Sequence, residues 1–199
     1  MMNISVIGAG YVGLITGIGF AKLNHQVSIV DLNDDLIKNL NENRPPFYEP
    51  ELVDYLNDSN IRNNLFFSTS YQKSINENTD IVFVCVQTPT DPDTGKTKTD
   101  YISSVLTELK KIESFNFIIC IKSTIKATLV EKISNEIDLD YKKIIFNPEF
   151  LREGSAFYDF FNPDRIVIGG SDQKGLNQCT ELYESFDCEK IITDSNSSQ

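Results

Sequence analysis

Short runs of apolar, mostly β-branched residues recur along the chain, and longer segments with helical periodicity separate them. The runs cover residues 4–7, 27–30, 81–86, 117–121, 144–146, 166–168 and 191–192. Near-continuous apolar strands that alternate with helices are typical of a parallel sheet covered by helices on both faces. The pattern therefore predicts an α/β fold with a doubly wound, mostly parallel sheet.

The segment after the first run carries an apolar stripe at helical spacing. Its members are Val12, Ile15, Gly19 and Leu23. Such a stripe predicts an amphipathic helix that packs one side against the sheet.

Length and composition favour one large domain. A chain of 199 residues with 40% hydrophobic content can bury a full core. We expect the domain to span residues 1–194 and residues 195–199, which are Ser, Asn and Gln, to form an unstructured polar tail.

Charge and cysteine usage narrow the classes of partner. A net charge of −11 disfavours nucleic acid and anionic membranes, and no apolar run reaches the length of a membrane span. We therefore expect a cytoplasmic protein with no nucleic-acid or membrane partner. The cysteines Cys85, Cys120, Cys179 and Cys188 form no C-x-x-C pair, so we interpret them as reduced core thiols and expect no metal site.

A glycine-rich turn follows the first predicted strand and precedes the first predicted helix. It reads Gly8-Ala9-Gly10-Tyr11-Val12-Gly13 and matches G-x-G-x-x-G. In a Rossmann-type fold the first glycine permits the tight turn, the second lets a pyrophosphate approach, and the third lets the helix lie close to the strand. The alternative is a glycine-rich turn without a ligand, but the strand and helix around it favour dinucleotide binding.

An acidic residue ends the second predicted strand, where this fold carries its ribose-binding carboxylate. Asp31 would accept hydrogen bonds from the adenosine ribose, and a 2′-phosphate would be repelled by Asp31, Asp34 and Asp35. The sequence therefore predicts NAD as the cofactor in preference to NADP. The alternative role for Asp31 is a helix N-cap, for which Asn33 and Asp34 are at least equal candidates.

Four further segments each match a known family pattern. The segment Pro46-Phe47-Tyr48-Glu49-Pro50-Glu51-Leu52 is similar to P-x-Y-E-P-G-L, with Glu51 in place of glycine. Two short loops, Val86-Gln87-Thr88-Pro89 and Lys122-Ser123-Thr124, are similar to V-x-T-P and K-S-T. The most specific segment is Asn147-Pro148-Glu149-Phe150-Leu151-Arg152-Glu153-Gly154, followed by Asn162-Pro163-Asp164-Arg165. Together with the glycine turn, these motifs resemble the UDP-glucose/GDP-mannose dehydrogenase family, and the last stretch is closer to its UDP-glucose branch.

The resemblance implies roles for individual residues. It implies cofactor contacts for Gly8, Gly10, Tyr11, Val12, Gly13, Asp31, Thr88, Pro89, Thr124 and Glu153. It implies a nucleotide-sugar pocket lined by Glu149, Phe150, Leu151, Arg152 and Glu153. Catalytic roles fall to Glu149, as a base or water-positioning group, to Glu153 near the nicotinamide, and to Thr124, which would orient the water or bond to the cofactor.

For several of these residues a purely structural role stays open. The spacing of Glu149 and Glu153 would place both carboxylates on one side of a helical turn, but such a pair is commonly a solvated face. Thr124 could cap the helix that starts near Lys126. Arg152 could pair with Glu149 or Asp159. The single histidine, His25, is interpreted as structural.

The family implied by the motifs oxidises the C6 alcohol of a nucleotide sugar to a carboxylate with two NAD, through a covalent intermediate on a cysteine. None of the four cysteines lies in the family's G-G-x-C-F-P-K-D context, and the lysine-bearing linking helix and C-terminal domain are not in this sequence. We therefore expect this chain alone to be inactive, and a homodimer for the complete enzyme. Leu36 stands five residues after Asp31, at the position where the family commonly has Lys or Arg, which puts that contact to NAD in doubt.

Three alternatives to UDP-glucose oxidation stay open at this stage. One is a non-catalytic NAD(H)-binding sensor. Another is a fragment of a GDP-mannose or UDP-N-acetylhexosamine 6-dehydrogenase. The third is a two-domain dehydrogenase of hydroxy acids or hydroxyacyl-CoA, which the segment 147–154 disfavours.

Overall fold

The structure, a computed structural model, describes residues 1–112 and 116–198. Its strands are β1 (Asn3–Ile7), β2 (Gln26–Val30), β3 (Leu65–Ser68), β4 (Ile81–Val84), β5 (Ile118–Ile121), β6 (Ile144–Phe146), β7 (Arg165–Gly169) and β8 (Glu189–Thr193). Its helices are α1 (Tyr11–Lys22), α2 (Asp34–Asn41), α3 (Leu52–Asn57), α4 (Ser59–Arg62), α5 (Tyr71–Ser74), α6 (Asp100–Lys110), α7 (Ala127–Glu136), α8 (Ala156–Phe161) and α9 (Gln173–Leu182).

The strands of the described residues form one sheet in the order β3-β2-β1-β4-β5-β6-β7-β8. Every neighbouring pair is parallel except β6 and β7, which are antiparallel. The chain begins at β1, winds outward to β3, and then crosses back to β4 on the other side of β1. The prediction of a doubly wound, mostly parallel α/β sheet is therefore confirmed.

Alternate strand residues belong to two separate cores. Val6 and Cys120 belong to the core under α1, α3, α4, α8 and α9, while Ile7 and Ile121 belong to the core under α5, α6 and α7. Because both faces are covered, the central strands are apolar at successive positions. None of the helices in the described part of the chain has the length and apolar character needed to cross a membrane.

Helix α1 is more deeply buried than its predicted stripe indicates. Residues 13–21 are all buried, whereas Val12 and Leu23 are only half-buried. A Cβ at Gly17 would lie 2.5 Å from Ile29 on β2, and a Cβ at Gly19 would lie 2.3 Å from Phe160 on α8. The prediction of a one-sided amphipathic helix is wrong because α8 covers the side that would otherwise face solvent.

The end of β4, the presence of β3 and the end of the chain differ from expectation. Strand β4 ends at Val84, two residues before the end of the apolar run, and β3 was not predicted. The Asp194 carboxylate accepts hydrogen bonds from the amides of Asn196 and Ser197, and Ser198 is buried against Gly169. The described part of the expected tail is thus an ordered turn, and Gln199 lies outside the described residues.

A buried polar cluster joins β6 to β7, where the sheet changes direction. The Asn147 side chain donates to the Val167 carbonyl at 2.8 Å and accepts from Lys122 Nζ at 3.1 Å and from the Tyr183 hydroxyl at 2.6 Å. Lys122, Asn147 and Tyr183 are each less than 10% exposed. One amide side chain therefore satisfies an ammonium, a phenol and a strand carbonyl that are largely removed from bulk water.

We expect Asn147→Ala to lower the free energy of unfolding by about 3–5 kcal/mol, because it leaves a buried ammonium and two further polar groups without this partner. Urea denaturation measures the change. Asn162→Ala is the matched control, because the Asn162 amide donates to the Tyr158 carbonyl at the exposed end of α8. A loss of the same small size in both variants would contradict this account of the junction.

The only histidine, His25, binds the backbone just before the start of β1. His25 Nδ1 accepts a hydrogen bond from the Met2 amide at 3.1 Å, and the ring packs edge-on against Phe20. Burial and the nearby N-terminal ammonium lower the pKa of His25 below 6.5, and Asp80 opposes them. The neutral ring is thus the form that the fold stabilises.

Because the folded pKa lies below the unfolded value, the unfolded chain takes up a proton first as the pH falls. The stabilisation is complete above pH 6.5 and is lost as the pH falls through the lowered folded pKa. We expect the unfolding free energy of the wild type to drop below pH 6.5 more steeply than that of His25→Gln. Parallel curves for the two proteins between about pH 7.5 and 5 would contradict this.

Candidate functional site

The predicted site residues lie in loops at the carboxyl ends of the parallel strands. The sheet order places the switch between β1 and β4, where successive connections leave in opposite directions. The Gly8 amide donates to the Val30 carbonyl, and the Cys85 amide donates to the Ile7 carbonyl, so the first turn lies between the ends of β2 and β4. An open α/β sheet binds its ligands in the crevice at this point.

Two glycines make the turn compact. Gly8 has φ +100°, and a Cβ there would lie 2.7 Å from the Cys85 carbonyl oxygen. A Cβ at Gly13 would lie 1.9 Å from the Gly8 carbonyl oxygen. Any side chain at either position would push α1 away from the strand ends.

The middle glycine faces open space. Gly10 is the N-cap of α1 and provides no side chain to cap it, and a Cβ there would meet nothing within 4 Å. The first turn of α1 also contains no acidic residue. The helix therefore presents its positive end to the crevice, where an anionic group can approach the backbone closely.

Asp31 lies beside this turn. Its Oδ2 accepts from the Ala9 amide at 2.9 Å and its Oδ1 accepts from the Asn33 amide at 3.0 Å. Each carboxylate oxygen has a further lone pair for a ligand hydroxyl. The carboxylate is thus held against the glycine turn, with acceptor capacity left for a ligand.

Asp31 is not the N-cap of α2, which was its alternative role. Asn33 is the N-cap of α2, and its side chain accepts from the Leu36 amide at 3.0 Å. Leu36 is apolar and packs partly against the core, so this position offers no positive charge to a ligand in the crevice.

The loops after β4 and β5 are tied to one another. The Thr88 hydroxyl donates to the Thr124 carbonyl at 2.8 Å, and the Ser123 hydroxyl donates to the Val86 carbonyl at 2.7 Å. Thr124 is exposed and does not cap α7, whose N-cap is Lys126. The alternative in which Thr124 caps this helix is therefore excluded. Pro89 is exposed in the same loop and its carbonyl accepts from the Lys98 amide.

The loop after β6 is irregular and not helical. The backbone between Asn147 and α8 is irregular, with a turn at Glu153 and Gly154, where Gly154 has φ +86°. The Glu149 carboxylate accepts from the Leu151 amide at 2.6 Å, and Glu153 is exposed. The inference that both carboxylates project from one helical turn is wrong, because α8 begins only at Ala156.

The remaining residues of this loop have distinct partners. Arg152 pairs with Asp159 through Nη2 and Oδ1 at 2.6 Å, which settles the choice between Glu149 and Asp159. The Arg152 hydrogen bonds lower the pKa of Asp159. Phe150 is half exposed and stacks beneath the Arg165 guanidinium, 4.8 Å from its ring centre, while Leu151 packs against the core.

A cavity of about 350 Å³ lies behind this loop. Its walls include residues 149–152 of the loop together with Lys122, Asn147 and Tyr183. Four of the five residues predicted to contact a sugar nucleotide therefore line one concave surface, whereas Glu153 does not.

Glu49 is a buried acid that the sequence analysis did not single out. It is 3% exposed, and it accepts from the Tyr11 hydroxyl, the Gly154 amide and the Ala156 amide, each at 2.8 Å. Burial raises the pKa of Glu49, but these hydrogen bonds outweigh burial and leave it lowered. The only signal in the sequence was the P-x-Y-E-P pattern, because the bonded amides are more than 100 residues away.

The cysteines are poor nucleophiles in this fold. Cys85, Cys120 and Cys179 are buried, and Cys188 is half-buried. Burial raises the pKa of Cys85 to about 12, and it also raises the pKa of Cys120 and of Cys188. The described residues also contain no cluster of His, Cys, Asp and Glu that could hold a metal ion.

Comparison with protein-family models identifies the family of this chain. The model of the UDP-glucose/GDP-mannose dehydrogenase family, NAD binding domain, matches residues 2–187. UDP-glucose 6-dehydrogenase YwqF of Bacillus subtilis is 34% identical, over 100% of this chain and 46% of that protein. A UDP-glucose dehydrogenase structure from Pyrobaculum islandicum has a TM-score of 0.88 at 33% identity, over 100% of this chain and 48% of that one.

A GDP-mannose dehydrogenase structure from Pseudomonas aeruginosa has a TM-score of 0.86 at 27% identity, over 99% of this chain and 47% of that one. The chain thus spans about half the length of these relatives. The predictions of fold, family and cofactor are confirmed. With a fold, a glycine turn and a family match that coincide, this chain belongs to the UDP-glucose/GDP-mannose dehydrogenase family and is its NAD-binding domain.

Proposed function

We propose that this chain is the NAD-binding half of a UDP-glucose 6-dehydrogenase. The main support is the position of the Asp31 carboxylate, which accepts a hydrogen bond from the Ala9 amide beside the open N-terminus of α1. In this proposal the amides around Gly10 hold the NAD pyrophosphate, and Asp31 accepts hydrogen bonds from the adenosine ribose. Thr88, Pro89 and Thr124 then line the path toward the nicotinamide.

The nucleotide-sugar pocket is proposed on residues 149–153. Support comes from the cavity behind residues 149–152 and from relatives named as UDP-glucose 6-dehydrogenases. Each turnover would convert the C6 alcohol, one water and two NAD⁺ into a carboxylate and two NADH, with release of three protons. Glu149 and Thr124 would position that water, and Glu153 would lie nearer the nicotinamide.

We further propose that the covalent step needs a thiol from outside this chain. A cysteine nucleophile must be an accessible thiolate. Burial keeps Cys85 and Cys120 protonated at neutral pH. The role of this chain is then to bind NAD and to supply one wall of the sugar site.

The cofactor preference is tested by isothermal titration. We expect the wild type to bind NAD at least about tenfold more tightly than NADP, because a 2′-phosphate would replace the charge-assisted hydrogen bond of the 2′-hydroxyl with repulsion. Asp31→Asn should reduce the difference in affinity between NAD and NADP. Asp54→Asn is the matched control, because Asp54 is also an exposed aspartate in the first turn of a helix, α3, and has no proposed role toward the ribose. Equal affinities of the wild type for NAD and NADP would overturn the proposed role of Asp31.

Turnover is tested by following NADH formation with UDP-glucose. The 199-residue chain should bind NAD but produce no NADH, because its cysteines are protonated or buried. YwqF, measured in parallel, is the positive control. A protein that continues this chain into the family's second half should form two NADH per UDP-glucose. NADH formed by the chain alone, or a faster reaction with GDP-mannose in the longer protein, would contradict the proposal.

A further inference from the structure

The buried Glu49 carboxylate is held without a cation. No ion pair to Glu49 exists among residues 1–112 and 116–198, and its three partners are one hydroxyl and two backbone amides. Removing an ionised carboxylate from water costs several kcal/mol unless its oxygens are well bonded. This group therefore depends on all three donors staying in place.

The donors come from both halves of the candidate site. Tyr11 is the first residue of α1 and directly follows the open Gly10, at the place proposed for the cofactor phosphates. Gly154 and Ala156 follow the proposed sugar loop and lead into α8. Glu49 is therefore a bridge between the end of the glycine turn and the end of the sugar loop.

Tyr11 contacts the sugar loop directly as well. Its hydroxyl lies 2.8 Å from Glu49 Oε2 and 3.2 Å from the Arg152 carbonyl oxygen. A phenol has one proton, so the two acceptors share it, and the shorter contact to the carboxylate takes most of it. The Tyr11 ring also packs against Phe47, with ring centres 5.1 Å apart, which fixes the ring from the side of the Glu49 segment.

We infer that Glu49 is a positioning residue that joins the dinucleotide-binding helix to the nucleotide-sugar loop, so that binding of NAD orders the backbone at residues 152–156. This inference rests on the proposed function, because it assigns NAD to the first turn of α1. NAD that immobilises this turn also immobilises the Tyr11 hydroxyl. The Glu49 carboxylate then restrains the Gly154 and Ala156 amides more strongly, and the loop is ordered before a sugar nucleotide binds.

Native-state hydrogen exchange tests the inference on the 199-residue chain. With NAD at saturation, as set by titration of each protein, we expect the Gly154 and Ala156 amides to exchange about tenfold more slowly, the size of one charge-assisted hydrogen bond. Tyr11→Phe removes only the hydroxyl, and it should abolish this NAD-dependent slowing. A purely structural role would change exchange equally with and without NAD.

Tyr55→Phe is the matched control. The Tyr55 hydroxyl also donates to a glutamate, Glu51, but it has no hydrogen bond to the sugar loop. This variant should keep the NAD-dependent slowing at Gly154 and Ala156. Glu49→Gln should lose it as Tyr11→Phe does, and Tyr11→Phe carries the test if the glutamine variant does not fold.

The outcomes separate the inference from the proposed function. If NAD slows the amides of residues 9–14 but leaves Gly154 and Ala156 unchanged, the coupling is wrong and the proposed NAD site stands. If Tyr11→Phe retains the full slowing, the link through Glu49 is wrong. If NAD neither slows residues 9–14 nor gives heat on titration, the proposed function fails and the inference fails with it.

Discussion

The close approach of α1 to the ends of the central strands is the constraint on which the site depends. Gly8 and Gly13 allow the helix to start within van der Waals distance of the strand ends, and no other residue fits at either position. This approach places the amide of Ala9 within reach of Asp31 and the side chain of Tyr11 within reach of Glu49. A contact between backbone atoms thus sets the positions of two carboxylates from different parts of the sequence.

The electrostatics of the site are local. The chain carries a net charge of −11, yet the first turn of α1 has no acidic residue and leaves its positive end open. Oriented peptide dipoles act over the first turn only, so they can attract a diphosphate where the overall charge repels it. In the proposed mode of NAD binding, Asp31, Asp34 and Asp35 oppose an additional phosphate on the ribose.

The sequence predicted those features that short-range patterns determine. The strand-helix alternation and the glycine spacing are local, and they were enough for the parallel sheet and the cofactor turn, whereas the family came from the resemblance of the four further motifs. Strand β3 was missed because four residues between asparagine-rich segments carry no periodicity. The helical turn at 149–153 was wrong because spacing alone cannot show that Gly154 takes a positive φ and that α8 begins after it. Glu49 and Asn147 were not interpreted as buried because their partners lie 20 or more residues away. The roles assigned to Glu149, Glu153 and Thr124 stay predictions.

The proposed sugar loop, residues 149–153, is attached to the rest of the protein at two places, one buried and one exposed. Its inner end is held by Glu49, which is 3% exposed and bonded to neutral donors, whereas its outer side is held by the pair of Arg152 and Asp159, in which the arginine side chain is 74% exposed. Dissolved ions weaken the attraction between exposed charges more than that between buried ones. Raising the ionic strength therefore weakens the outer attachment of the loop at Arg152 and hardly affects the inner attachment at Glu49.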